Sequence, residues 1–135
     1  ANLLPNRNLS VWPYTRLNDA RLHLRDDYIL FEARPDLPPC KVGYMNTHGW
    51  LAYWDKGLLF VKRFQPQPDL PHVDFGCNVE MYCNNRFIEL ETLGPLRRLE
   101  PGQVVTHVEV WELHAGVAQP KTLEDVPALI KERGL

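Results

Sequence analysis

The sequence lacks the motifs of metal sites and of disulfide-linked folds. Its three cysteines, Cys40, Cys77 and Cys83, form no C-x-x-C pair, and an odd number argues against a closed disulfide framework. The five histidines have neither H-x-x-x-H nor H-E-x-x-H spacing, so no zinc signature is present. We therefore expect reduced, structural thiols and no cofactor, with a metal ion bound by distant loops as the alternative.

The chain also lacks the features of membrane and nucleic-acid-binding proteins. No apolar run approaches the ~18 residues that span a bilayer, and the N-terminus has no signal-peptide pattern. The 15 basic residues are scattered and the net charge is −2, which excludes a basic patch for nucleic acid. These absences predict a cytoplasmic protein. The first residue is not Met, which indicates a processed or excised segment, or removal of the first Met alone.

Proline, glycine and short β-branched or aromatic runs are abundant. The 12 prolines and eight glycines divide the 135 residues into short segments whose composition favours strands. Their spacing predicts one domain, an all-β antiparallel sandwich, ending in a short helix from Val126 to Arg133 that Asp125 caps. The predicted strands are residues 9–14, 28–33, 41–45, 50–54, 58–64, 78–83, 87–93 and 104–113.

Two tight hairpin turns are predicted. Asp55-Lys56-Gly57 fits a three-residue loop with Gly57 in the left-handed conformation, and Asn84-Asn85 fits a two-residue primed turn. The second turn fixes a register for its hairpin. That register pairs Tyr82 with Phe87, Glu80 with Glu89, and Asn78 with Glu91.

This hairpin would place three carboxylates, Glu80, Glu89 and Glu91, on one face together with two aromatic rings. Directly opposed like charges destabilise a sheet by ~0.2–1 kcal/mol for each pair. A nearby Lys or Arg, with Lys62 as the candidate, would offset the repulsion, or one carboxyl group would keep its proton as a general acid or base does. The alternative is an ordinary face on which the glutamates point into water.

The C-terminal half of the sequence resembles a known family. Leu90-Glu91-Thr92, Leu99-Glu100-Pro101-Gly102 and the segment Val104 to Leu113 with Trp111 are similar to the closing strands of aldose 1-epimerases and their galactose mutarotase-like relatives. Residues 8–14, 43–46, 49–54 and 59–64 resemble bacterial members more weakly. The resemblance implies a mutarotase-like β-sandwich with a small-molecule carbohydrate as ligand. Because the family domain is roughly twice as long, this chain would be its C-terminal half.

The resemblance also implies a proton-transfer site. In the characterised epimerases a Glu on this strand takes the proton of the anomeric hydroxyl and a His protonates the ring oxygen, without a cofactor. By position the base is Glu91. The family's Asn-His-Ser-Tyr-Phe motif is not matched, because residues 8–14 have Trp12 and Pro13 where the His is expected. His48, in a loop between two strands, is the candidate acid, with a simple turn residue as the alternative.

Other side chains are candidates for contacts with the sugar. Arg16 and Asp19 could grip vicinal hydroxyls or form a surface ion pair. Trp50 could stack on a sugar or belong to the core. The sequence therefore leaves three alternative functions: an epimerase-like isomerase, a non-catalytic sugar-binding module, and a structural half-domain. The sheet of the half-domain would be completed by another segment or by a second copy in a homo-oligomer. The candidate substrate-binding residues are Arg16, Asp19, Trp50, Lys62, Glu89 and Glu80.

Overall fold

The computed structural model describes residues 3–135, and it confirms the prediction of a mostly β protein with one short C-terminal helix. The strands form three antiparallel sheets. A 3₁₀ turn, Leu123–Asp125, leads into helix α1, Val126–Glu132. The strands are β1 Ser10–Val11, β2 Leu22–Leu24, β3 Ile29–Phe31, β4 Cys40–Tyr44, β5 Trp50–Asp55, β6 Leu58–Phe64, β7 Val79–Cys83, β8 Ile88–Thr92 and β9 Glu109–Ala115.

Several strands differ from the sequence prediction. Strand β1 covers only Ser10–Val11 of the predicted residues 9–14. Strand β2 was not predicted, since Leu22-His23-Leu24 is a short run flanked by charged residues. Strand β9 begins at Glu109 instead of Val104, because its neighbour β6 ends at Phe64, which pairs with Glu109. None of the helices in residues 3–135 has the length and apolar character to cross a membrane.

The first of two compact units contains the chain up to Asn46 together with Gln67–Val105. Its main sheet has the strand order β1-β4-β7-β8, and β2 and β3 form a separate two-stranded sheet. Side chains alternate between the two faces of the main sheet. One face is apolar and supplies the core of this unit, with the buried residues Cys40, Val42, Val79 and Cys83. The opposite face carries Lys41, Glu80, Tyr82, Glu89 and Glu91.

The predicted two-residue turn at Asn84-Asn85 is wrong. Neither residue has the positive φ that a primed turn requires. Instead Asn84 closes a four-residue connection: its Oδ1 accepts hydrogen bonds from the backbone N–H groups of Arg86 and Phe87, at 2.7 and 2.9 Å. The register therefore shifts by two residues, so that Glu80 faces Glu91 and Tyr82 faces Glu89. A shift of two keeps every side chain on its predicted face.

The second compact unit contains Thr47–Pro66 and Thr106–Leu135. Its sheet has the order β5-β6-β9. The β5–β6 turn has two residues instead of the predicted three: Lys56 and Gly57 both have positive φ, 47° and 84°, as in a type I′ turn. The core of this unit is formed by Leu59, Val61 and Val117, against which Trp50, Ala52, Trp54, Leu129 and Leu135 pack.

Gly43 in β4 has two side chains packed closely against it, those of Cys77 and Glu80. A Cβ atom at this position would lie 2.8 Å from Sγ of Cys77 and 3.0 Å from Cγ of Glu80. Gly43 lies directly opposite Glu80 in the β4–β7 register. The missing side chain thus leaves room for Cγ of Glu80 beside the backbone of β4.

We expect Gly43→Ala to lower the free energy of unfolding by about 1–3 kcal/mol, because the added methyl group overpacks a buried site. The φ angle of Gly43 is not positive, so the substitution tests steric crowding around the added methyl group and not backbone strain. Urea unfolding followed by circular dichroism measures the effect. The loss should be smaller in a Cys77→Ala background, which removes the closest atom. An equal loss in both backgrounds would contradict the steric explanation.

Candidate functional site

A partly buried lysine joins two of the predicted carboxylates. Nζ of Lys41 lies 2.7 Å from Oε2 of Glu80 and 2.7 Å from Oε1 of Glu91. The Glu80 side chain is 2% exposed and that of Glu91 is 32% exposed. Within residues 3–135, Oε1 of Glu80 is buried without a hydrogen-bond partner. The expectation of a fully solvated carboxylate face therefore does not hold for Glu80.

The cation that the structure places beside Glu80 and Glu91 is Lys41, whereas the candidate Lys62 belongs to the second unit. Nζ of Lys62 lies 3.2 Å from Oε1 of Glu109 on the adjacent strand β9. The physical reason is strand pairing. Strand β4 lies directly beside β7, so Lys41 is one strand away from Glu80 and two from Glu91.

The same face of the first unit opens into a cleft of about 470 Å³. Within the first unit, Lys41 and Glu89 are the charged residues of its wall, and the rest is aromatic apart from one proline. Pockets that bind small molecules commonly combine such an apolar wall with a few polar groups that fix orientation. The lining residues are Trp12, Tyr14, Pro39, Lys41, Tyr82, Phe87 and Glu89.

Contacts among the lining residues hold the aromatic rings in place. The rings of Tyr14 and Tyr82 meet edge to face with centroids 6.3 Å apart, and those of Tyr82 and Phe87 are 5.7 Å apart. Nζ of Lys41 lies 4.9 Å from the centre of the Trp12 ring, within cation–π range. The side chain of Asn84 donates a hydrogen bond to the Tyr82 hydroxyl at 3.2 Å.

Thr15 attaches the segment that carries Trp12 and Tyr14 to strand β4. Its hydroxyl donates to the carbonyl oxygen of Lys41 at 2.6 Å and accepts from the Lys41 backbone N–H at 2.9 Å. The backbone N–H of Thr15 also donates to the carbonyl oxygen of Trp12 at 2.8 Å. Two aromatic side chains are thereby fixed next to the Lys41 ammonium.

The charged groups shift one another's protonation. Burial raises the pKa of Glu80, and hydrogen bonds from Lys41 only partly offset this effect. Burial also raises the pKa of Glu89, and the neighbouring carboxyl group of Glu91 raises it further. Burial alone would lower the pKa of Lys41, but its hydrogen bonds to Glu80 and Glu91 outweigh burial and raise it. Lys41 is therefore charged at neutral pH.

Arg16 and Asp19 do not form the expected ion pair. Both carboxylate oxygens of Asp19 bind Arg21, at 2.9 Å from Nε and 2.8 Å from Nη2, whereas Arg16 is exposed. The Arg21 side chain is fully buried and also donates to the carbonyl oxygen of Pro38 at 2.6 Å. Hydrogen bonds from Arg21 lower the pKa of Asp19 to about 2. This bidentate pair is a structural contact in which both carboxylate oxygens of Asp19 are already hydrogen-bonded.

Comparisons of the chain with protein-family models, with curated proteins and with solved structures found no match. The resemblance to galactose mutarotase-like proteins therefore stays a prediction, and so does the specific sandwich type. What stands is the all-β architecture with three antiparallel sheets.

The remaining candidate residues, His48, Trp50 and Lys62, belong to the second unit. His48 is exposed between β4 and β5. Trp50 packs against the core of its own unit, as the alternative interpretation of its spacing predicted. The pairing of His48 with Glu91 as acid and base stays a prediction. Throughout residues 3–135, no group of three or more His, Cys, Asp or Glu side chains is arranged to hold a metal ion.

Replacing Lys41 by Met should destabilise the protein by about 3 kcal/mol at neutral pH, because it leaves the buried Glu80 charge without a cation. The pKa of Glu80 would then rise further, and its folded form would bind a proton more tightly than its unfolded form. Stability relative to wild type should therefore fall as the pH rises and recover as the pH is lowered. Chemical unfolding across a pH series measures this difference.

Lys62→Met is the matched control, since its side chain is also 15% exposed and pairs with one carboxylate. We expect it to cost about 1 kcal/mol or less, because Glu109 keeps access to water. Equal losses in the two variants, or a Lys41→Met loss that does not shrink at lower pH, would contradict the assignment of Lys41 as the partner of a buried charge.

Proposed function

We propose that this chain is a carbohydrate-binding protein and that the sugar binds in the aromatic cleft of the first unit. The observation that carries the proposal is the composition of the cleft: four aromatic rings surround one ammonium and one carboxylate. Flat aromatic rings offer apolar surface to the C–H faces of a sugar ring, and charged groups form strong hydrogen bonds with hydroxyls. The volume of about 470 Å³ suits a small molecule.

Phe87→Ala tests the cleft directly. Phe87 is 50% exposed and lies outside the strands, so its removal should leave the fold intact while it takes one ring from the binding surface. We expect galactose or glucose affinity, measured by isothermal titration calorimetry, to weaken about fivefold, the equivalent of ~1 kcal/mol. Phe75→Ala is the control, because Phe75 is 94% exposed and does not line the cleft. Equal effects of both changes would exclude the cleft as the sugar site.

A second candidate function is the interconversion of sugar anomers, as the family resemblance implies. The observation that favours it is the pair of neighbouring carboxyl groups, Glu89 and Glu91, of which Glu89 has a raised pKa. Two neighbouring carboxyl groups, one of which binds a proton more readily than usual, are an arrangement that acid–base catalysis uses. Against it, the Lys41 ammonium donates a hydrogen bond to Oε1 of Glu91 at 2.7 Å, so this oxygen is already occupied by a protein group. The geometry thus supports binding better than catalysis.

Polarimetry distinguishes the two functions. If the chain is an epimerase, freshly dissolved α-glucose should mutarotate faster with protein than in buffer alone, and Glu91→Gln should abolish the increase because it removes the base. Saturable sugar binding without any increase in rate would identify a binding module. An increased rate that Glu91→Gln leaves unchanged would exclude Glu91 as the base.

A further inference from the structure

The carboxylate face of the first sheet carries more acidic than basic groups. Lys41 contributes one ammonium, while Glu80, Glu89 and Glu91 contribute three carboxyl groups on the same face. The ammonium is already hydrogen-bonded to Glu80 and Glu91 at 2.7 Å each. Glu89, which faces Tyr82 across β7 and β8, is the carboxyl group of this set that lines the cleft.

This imbalance makes the cluster attract a further positive charge. Burial together with the Glu91 carboxylate raises the pKa of Glu89, which means that this group binds a proton more readily than an ordinary carboxylate. The part of this shift that comes from the Glu91 carboxyl group is electrostatic, and the same attraction acts on a ligand cation that reaches Glu89. A ligand ammonium can therefore take the place of the proton.

The rings beside Glu89 favour the same kind of ligand. Tyr82 and Phe87 have ring centroids 5.7 Å apart and line the cleft together with Glu89. An ammonium group is attracted to the face of an aromatic ring within about 6 Å of its centre. A cation bound at the Glu89 carboxylate would thus gain from both contacts.

On the basis of the carbohydrate-binding function proposed above, we propose that the cleft takes an amino sugar whose ammonium group pairs with Glu89 beside the rings of Tyr82 and Phe87. The same charges reject anionic sugars. A phosphate or carboxylate group on the ligand would meet Glu89, and the one cation of the wall, Lys41, already binds two carboxylates. The ligand class is thus a sugar with a free, positively charged amine.

Calorimetry with four sugars tests the proposal on the wild-type chain, at a pH below the pKa of the sugar amine. Glucosamine should bind about fivefold more tightly than glucose, which is the gain expected from one partly exposed ion pair. N-acetylglucosamine, which has no charge on nitrogen, should lose that gain, and glucose 6-phosphate should bind more weakly than glucose. Cyclohexylamine, an amine without hydroxyl groups, should bind more weakly than glucosamine.

Variants then locate the ammonium site. Glu89→Gln should lower the affinity for glucosamine to that for glucose, whereas Glu100→Gln removes an exposed carboxylate outside the cleft and should preserve the difference. Circular dichroism spectra and thermal melting verify that both variants are folded. The comparison of ligands on the wild-type chain does not depend on either variant.

The outcomes distinguish a failure of the amine preference from a failure of the carbohydrate-binding function. If glucose and glucosamine bind equally, the amine preference is overturned while the carbohydrate-binding function stands. If cyclohexylamine binds as tightly as glucosamine, the site recognises an amine and not an amino sugar. If none of the sugars binds, the carbohydrate-binding function and the amine preference fail together.

Discussion

The polar face of the first unit depends on the ion pair between Lys41 and Glu80. A carboxylate that is 2% exposed is strongly unfavourable unless a cation and hydrogen bonds replace the water it has lost. Lys41 supplies the cation and one hydrogen bond, to Oε2, while Oε1 has no partner among residues 3–135. Because the ammonium also binds Glu91, its contacts link the three neighbouring strands β4, β7 and β8. The same ammonium thus joins the buried Glu80 to Glu91, whose carboxyl group raises the pKa of Glu89.

Strand pairing determines which residues can take part in this arrangement. Strand β4 lies between β1 and β7, so its small residue Gly43 can face Glu80 while Lys41 faces Tyr82. A larger side chain at Gly43 would push Glu80 away from the sheet and from the Lys41 ammonium. The segment after β1 is held to the backbone of Lys41 by Thr15 and contributes Trp12 and Tyr14 to the wall of the cleft. Lys41 thus links the buried carboxylate with the cleft: its side chain binds Glu80, and its backbone binds the segment that carries Trp12 and Tyr14.

Local sequence patterns predicted most of the strands and the polar face, but not the partner of the carboxylates. Alternation in residues 78–83 and 87–93 was enough to place Glu80, Glu89 and Glu91 on one face, because that depends only on a period of two. Lys41 was missed because its strand is separated from β7 by more than 30 residues of sequence, and alternation carries no information on such non-local pairing. The sequence offered one indication of this role, namely that Lys41 is a charged residue between the apolar residues Cys40 and Val42.

The turn at Asn84 shows how local chemistry decides the composition of a site. A two-residue turn would have set Glu89 opposite Glu80, next to the buried ammonium and away from Tyr82 in the register. The Asn84 side chain instead accepts hydrogen bonds from two following backbone N–H groups, which lengthens the connection and moves the pairing by two residues. Glu91 consequently occupies the place opposite Glu80, and Glu89 faces Tyr82 in the aromatic cleft. The turn at Asn84 therefore determines which carboxyl group lines the cleft.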